Sequence, residues 1–196
     1  MRELLTPIER PRDKDMSTTT QTHLMTVEEF MNIDDEPNRH ELIKGELLTM
    51  TPPKPLHGRI VTNLAVILGL YVKANRLGVV YSESGYHLER GPDTVLGPDM
   101  SFLSAQRVNQ SEEQYYDGPP DLAIEVLSPG DRKSYIERKL VLYLEAGARS
   151  VWLVNPRRRT VEVVSSPGDR RTFHETDELT DDTVPGFRVK VSEIFE

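Results

Sequence analysis

The sequence predicts a mixed α/β fold (an α+β mixed sheet), a central mixed β-sheet flanked by helices, on three observations. Residues 122–127 form an apolar run of strand length, closed off by Pro119-Pro120 before it and Ser128-Pro129-Gly130 after it. Between residues 57 and 75, Ile60, Leu64, Ile67, Leu68 and Tyr71 recur at helical spacing. A second helical pattern at 131–146, with Ile136, Leu140, Tyr143 and Leu144 on one side, separates the 122–127 run from the apolar segment 150–154. Strand, helix and strand in that order imply a crossover and at least one parallel pair.

The elements follow in order. Residues 1–23 are charged, Thr-rich and without apolar periodicity, so they are expected to form a flexible leader, with residues 24–196 as a single domain. Thr26-Val27-Glu28-Glu29 is a capping box that opens a short helix. Residues 40–50 read as a hairpin turning near Lys44-Gly45. Pro52-Pro53-Lys54-Pro55 breaks the chain before the long helix. Strands are expected at 79–82, 85–89, 99–103, 122–127 and 150–154, with a polar loop at 104–118. Residues 160–164 and 170–174 read as an added hairpin, and the acidic 177–182 segment as a closing loop. Trp152 is read as core, and Asn155-Pro156 as a turn ahead of a solvated Arg157-Arg158-Arg159 tip.

Composition narrows the class. With 24 Lys and Arg against 32 Asp and Glu, the net charge of -8 argues against a general nucleic-acid coat protein. The charge is uneven, since residues 131–159 carry eight basic residues against three acids, enough for a local basic face. There is no cysteine, which excludes disulfides and thiolate metal sites. No apolar run is expected to approach the ~18–20 residues of a membrane span, and no signal-peptide pattern opens the chain. The expectation is a cytoplasmic protein with no membrane partner.

One carboxylate, Glu125, sits inside the apolar 122–127 run, where an unpartnered charge costs several kcal/mol. A metal, a cation across the sheet or a proton would each meet it. Asp99 opens the preceding strand and can lie beside Glu125 if the two strands are neighbours. Asp121 shares Glu125's face, but four residues of strand separate the two by ~13 Å, too far for one ion. It reads as a strand-entry residue. Lys139 falls at the edge of the apolar stripe of the following helix, where its stem can be buried and its ammonium aimed at the strand. Paired acids alone also admit a sugar hydrolase, but aromatic residues are few, at 7%, for stacking sugar rings.

The succession His40-Glu41-Leu42-Ile43-Lys44-Gly45-Glu46, His57 at a helix start, Pro98-Asp99 and Pro120-Asp121-x-x-x-Glu125-Val126-Leu127-Ser128-Pro129 resembles the Uma-type restriction-endonuclease family of the PD-(D/E)xK nuclease superfamily. So does Glu137-x-Lys139-x-x-x-Tyr143-x-x-x-Gly147 followed by 151–156, and the likeness covers roughly residues 24–195. It implies a restriction-endonuclease-like core with metal-binding acids on adjacent strands. Asp99 matches the first acid of the pattern and Glu125 the second. The usual lysine two residues after the second acid is absent, because Leu127 stands there, and Lys139 takes its place.

The resemblance further implies Glu41 as an additional metal ligand or water-holder, with Glu41, Asp99, Glu125 and Lys139 as the catalytic set. His57, Arg132, Lys133 and Arg138 are candidate substrate-binding residues. The expected activity is Mg²⁺- or Mn²⁺-dependent hydrolysis of DNA phosphodiester bonds, with a homodimer suited to cutting both strands. The alternative is a catalytically silent nuclease-like module that binds DNA or a protein partner.

Overall fold

A computed structural model of the chain describes residues 23–33, 39–108 and 113–196. The expected leader thus lies outside the described residues except for His23, which pairs with Glu29. Thr26 caps α1 (Val27–Phe30) through the reciprocal Thr26/Glu29 box. β1 (Arg39–Ile43) and β2 (Glu46–Met50) pair antiparallel around Lys44 and Gly45, both at positive φ (52° and 77°), as a tight two-residue turn requires. Pro55 occupies the first position of α2 (Pro55–Ala74), where its missing N–H costs no hydrogen bond.

β3 (Gly78–Ser82), β4 (Tyr86–Glu89), β5 (Thr94–Leu96), β6 (Met100–Ser104), β7 (Tyr116–Asp117) and β8 (Leu122–Val126) follow. Then come α3 (Lys133–Glu145), β9 (Ser150–Asn155), β10 (Thr160–Ser166), β11 (Asp169–His174), β12 (Glu178–Thr180), β13 (Arg188–Lys190) and α4 (Val191–Ile194).

The central sheet runs β11-β10-β9-β8-β6-β3. β8 and β9 are parallel, the pair that the strand–α3–strand order requires, and the other neighbours are antiparallel. The β10–β11 hairpin extends this sheet at its edge. A second sheet, β2-β1-β5-β4-β7, includes two strands that sequence reasoning did not find, β5 and β7. At three and two residues they are too short to carry a periodic signal.

Alternation along the strands divides the core. Met100, Phe102, Leu122, Ile124, Val126, Trp152 and Val154 pack with Ile60, Leu64, Leu68 and Val72 of α2. Ala123, Val151 and Leu153 face the other way, against Ile136, Leu140 and Tyr143 of α3. Glu125 shares the parity of Ala123 and so belongs to the α3 side.

Two expectations need correction. α2, at 20 residues, is long and apolar enough by length and composition to cross a membrane, contrary to the reading that no segment approaches one. One stripe of it is packed against the sheet. The acidic 177–182 segment is not a plain loop either. It contains β12, paired with β13, and it turns Asp181 inward to accept hydrogen bonds from Trp152 Nε1 (2.7 Å) and Ser150 Oγ (2.5 Å).

Candidate active site

Antiparallel pairing of β6 with β8 aligns Met100 with Ile124, so Asp99, one residue before β6, stands opposite Glu125. Both are nearly buried, at 7% and 6% exposure. Two carboxylates forced together there must find positive charge or take up a proton. Asp99 Oδ2 accepts the Val126 amide (2.7 Å) and a bond from His57 Nε2 (3.1 Å). Its other oxygen has Arg39 Nη1 at 3.7 Å, beyond hydrogen-bond range.

On the α3 side, Lys139 is buried and bridges two acids. Its Nζ lies 2.6 Å from Glu125 Oε1 and 2.8 Å from Glu41 Oε1. Tyr143 donates to Glu125 Oε1 at 3.0 Å, and Tyr135 donates to Glu41 Oε2. Tyr135, Lys139 and Tyr143 are spaced by four residues, so α3 presents one polar line to β1 and β8. Sequence reasoning assigned Tyr143 to the core and missed Tyr135 and Arg39. The four-residue spacing of Tyr135, Lys139 and Tyr143 was the available signal for the tyrosine.

The electrostatics show one ammonium shared between two anions. Burial pushes Glu125 up to about 7; Lys139 opposes the rise, and Asp99 and Glu41 add to it. Burial also presses Lys139 down, but the charges of Glu125 and Glu41 outweigh it and raise its pKa, so Lys139 is a fixed cation. Asp99 is pushed up by burial and pulled further down by His57, the Val126 amide and Lys139, ending below the ordinary carboxylate range. Burial and the neighbouring Glu125 raise Tyr143, keeping its hydroxyl protonated as a donor. The lysine is over-satisfied, and Glu125 remains short of positive charge.

Glu41, His57, Asp99, Glu125, Tyr135 and Lys139 line an open cleft of about 1370 Å³ that Arg39, Lys54, Arg132 and Arg138 also border. Lys133 is exposed on the first turn of α3 but is not among the residues lining this cleft. Asp121 is apart from the site, bonded to the Ser104 amide (2.8 Å) and facing Arg107 (3.4 Å).

Among the described residues, no three His, Cys, Asp or Glu side chains gather closely enough to hold an ion by themselves. Glu41 in particular is not joined with Asp99 and Glu125 in one cage, because Lys139 and Tyr135 take its oxygens. The donor set fits Mg²⁺ or Mn²⁺ in a sparser way, since Mg²⁺ is commonly held by one or two carboxylates plus waters and phosphate oxygens. Asp99, whose Oδ1 has Arg39 at 3.7 Å, and Glu125 would supply two such carboxylates from adjacent strands.

No curated protein matches the sequence. Among solved structures, the chain resembles a crystal structure described as a "putative nuclease belonging to DUF820" from Anabaena variabilis ATCC 29413. The two are 20% identical, with 87% of this chain and 97% of that chain covered at a TM-score of 0.77, which shows a shared fold. The sequence pattern of the Uma2 family, described as "Putative restriction endonuclease", matches residues 27–192. That span is most of the chain and takes in both strand acids and the α3 lysine, and the chain therefore belongs to the Uma2 restriction-endonuclease family.

Proposed function

We propose that the chain is a Mg²⁺- or Mn²⁺-dependent endonuclease that hydrolyses DNA phosphodiester bonds. The observation that carries this reading is the register that sets Asp99 opposite Glu125, with Lys139 bonded to Glu125 at 2.6 Å. A divalent ion held by these two acids supplies neutralisation of the scissile phosphate and a more acidic water. Lys139, kept protonated by Glu125 and Glu41, cannot serve as a general base near neutral pH. Its work is that of a fixed positive charge facing the anion that builds up on phosphorus. Glu41, itself bonded by the Tyr135 hydroxyl, holds the ammonium from behind, and Tyr143 orients Glu125. Arg132 and Arg138, at the cleft wall, and Lys133 beside them grip the phosphodiester backbone without reading bases.

A plasmid-nicking assay with Mg²⁺, Mn²⁺ and EDTA lanes tests this. Nicking is expected with either ion, none with EDTA, and none for Asp99→Ala, Glu125→Ala or Lys139→Ala. A parent protein that leaves the plasmid intact, or variants that nick like the parent, would refute it. Cutting both strands calls for two such sites, so we further propose a cytoplasmic homodimer; sedimentation at the monomer mass would exclude the dimer. The net charge of -8 favours a second reading, a non-cleaving module. Calorimetry that detects no divalent-ion binding at millimolar concentration would support it.

A further inference from the structure

Among the described residues, a single buried side-chain nitrogen or oxygen lacks a hydrogen-bond partner, Nδ1 of His57. Such an orphan costs about 1–3 kcal/mol. An apolar side chain in the first turn of α2 would avoid that cost, so the imidazole calls for an explanation. The expectation that His57 contacts substrate phosphate fits poorly. Nδ1 is sealed from solvent, and Nε2 is already spent on Asp99 at 3.1 Å.

That bond has a definite direction. An ionised carboxylate only accepts, so the Nε2 atom carries the hydrogen and donates to Asp99 Oδ2. The Val126 amide donates to the same oxygen at 2.7 Å. Two donors from different elements, the α2 start and the residue after Glu125, fix one oxygen and with it the rotation of the carboxylate. The other oxygen has Arg39 Nη1 at 3.7 Å, and Asp99 lines the cleft.

We propose that His57 is a positioning residue of the metal site: with the Val126 amide it pins Asp99 Oδ2 so that Oδ1 is presented to the divalent ion. This rests on the metal-dependent reading above. Groups that orient a ligating carboxylate typically control metal affinity by about 10- to 100-fold.

The test compares His57→Gln with His57→Asn by titrating Mn²⁺ and following its electron paramagnetic resonance signal, without DNA. A Gln amide N–H reaches about as far as imidazole Nε2, whereas an Asn amide reaches only about as far as Nδ1. His57→Gln is expected to bind Mn²⁺ within a few-fold of the parent, and His57→Asn about 10- to 100-fold more weakly. A merely structural histidine would shift the melting temperature of both variants and leave Mn²⁺ affinity equal between them. Equal affinities for parent, Gln and Asn forms would overturn the positioning role while leaving the endonuclease reading intact. A parent that binds no Mn²⁺ at millimolar levels would overturn both.

Discussion

Replacing Lys139 with Met keeps most of the buried stem and removes the charge, leaving Glu125 and Glu41 facing each other without their common cation. Both carboxylates are at most 6% exposed, and the ammonium bridges them at 2.6 and 2.8 Å. Breaking a buried pair by deleting one partner costs about 3–5 kcal/mol, a large part of a typical 5–15 kcal/mol domain stability. The Tyr135 and Tyr143 hydroxyls still donate to the two acids, which argues for the lower end, about 3 kcal/mol.

The loss has a signed pH dependence. Burial already raises Glu125 to about 7, and removing Lys139, which opposes that rise, moves it higher. A carboxyl with a raised native pKa costs the folded state nothing below its unfolded value. It costs progressively more as pH climbs toward the native value. The destabilisation should therefore be small near pH 4.5 and grow as pH rises, reaching its full value only above the variant's native Glu125 pKa, which lies higher than about 7. Urea unfolding of parent and Lys139→Met protein at pH 5 and pH 8 measures it. Saturating Mn²⁺ should recover about 2–3 kcal/mol at pH 8 by neutralising Glu125. Equal losses at the two pH values, or a loss under about 0.5 kcal/mol at pH 8, would refute the shared-cation picture.

Three further outcomes test the scaffold and the surface. Asp181→Ala strips the acceptor from buried Trp152 Nε1 and Ser150 Oγ and should cost about 2–4 kcal/mol by denaturant unfolding. Gly78 has φ +153°, and a Cβ there would lie 1.9 Å from the Leu103 carbonyl oxygen. Gly78→Ala should therefore lower stability by at least about 2 kcal/mol; an unchanged midpoint would mean that β3 does not pair with β6 as described. If Arg132 and Arg138 hold phosphates, their joint replacement by Ala should reduce the slope of log affinity against log salt by about 2 in a DNA-binding titration.

Local signals in the sequence reached far into the site. The Lys44-Gly45 turn fixed the hairpin that carries Glu41, and the apolar run around Glu125 identified the central strand. Asp99 as a strand opener placed it within one residue of β6. Long-range contacts were not legible. His57 meets Asp99 across 42 residues, and Asp181 meets Trp152 across 29, with no periodic or turn signal linking either pair. β7 belongs to the second sheet by pairing with β4, and β5, a short local hairpin partner of β4, is joined there to distant β1. Arg39 escaped notice because a charged residue at a strand start reads as solvated until the Asp99 carboxylate is in view.

The most direct measurement is anomalous diffraction at the manganese edge from crystals soaked in Mn²⁺. A single strong peak within about 2.5 Å of both an Asp99 and a Glu125 carboxylate oxygen, with Lys139 moved off Glu125 or still in contact with it, is the predicted result. A peak elsewhere in the molecule, or one that touches only one of those two acids with no oxygen of the other within reach, would contradict the shared metal site.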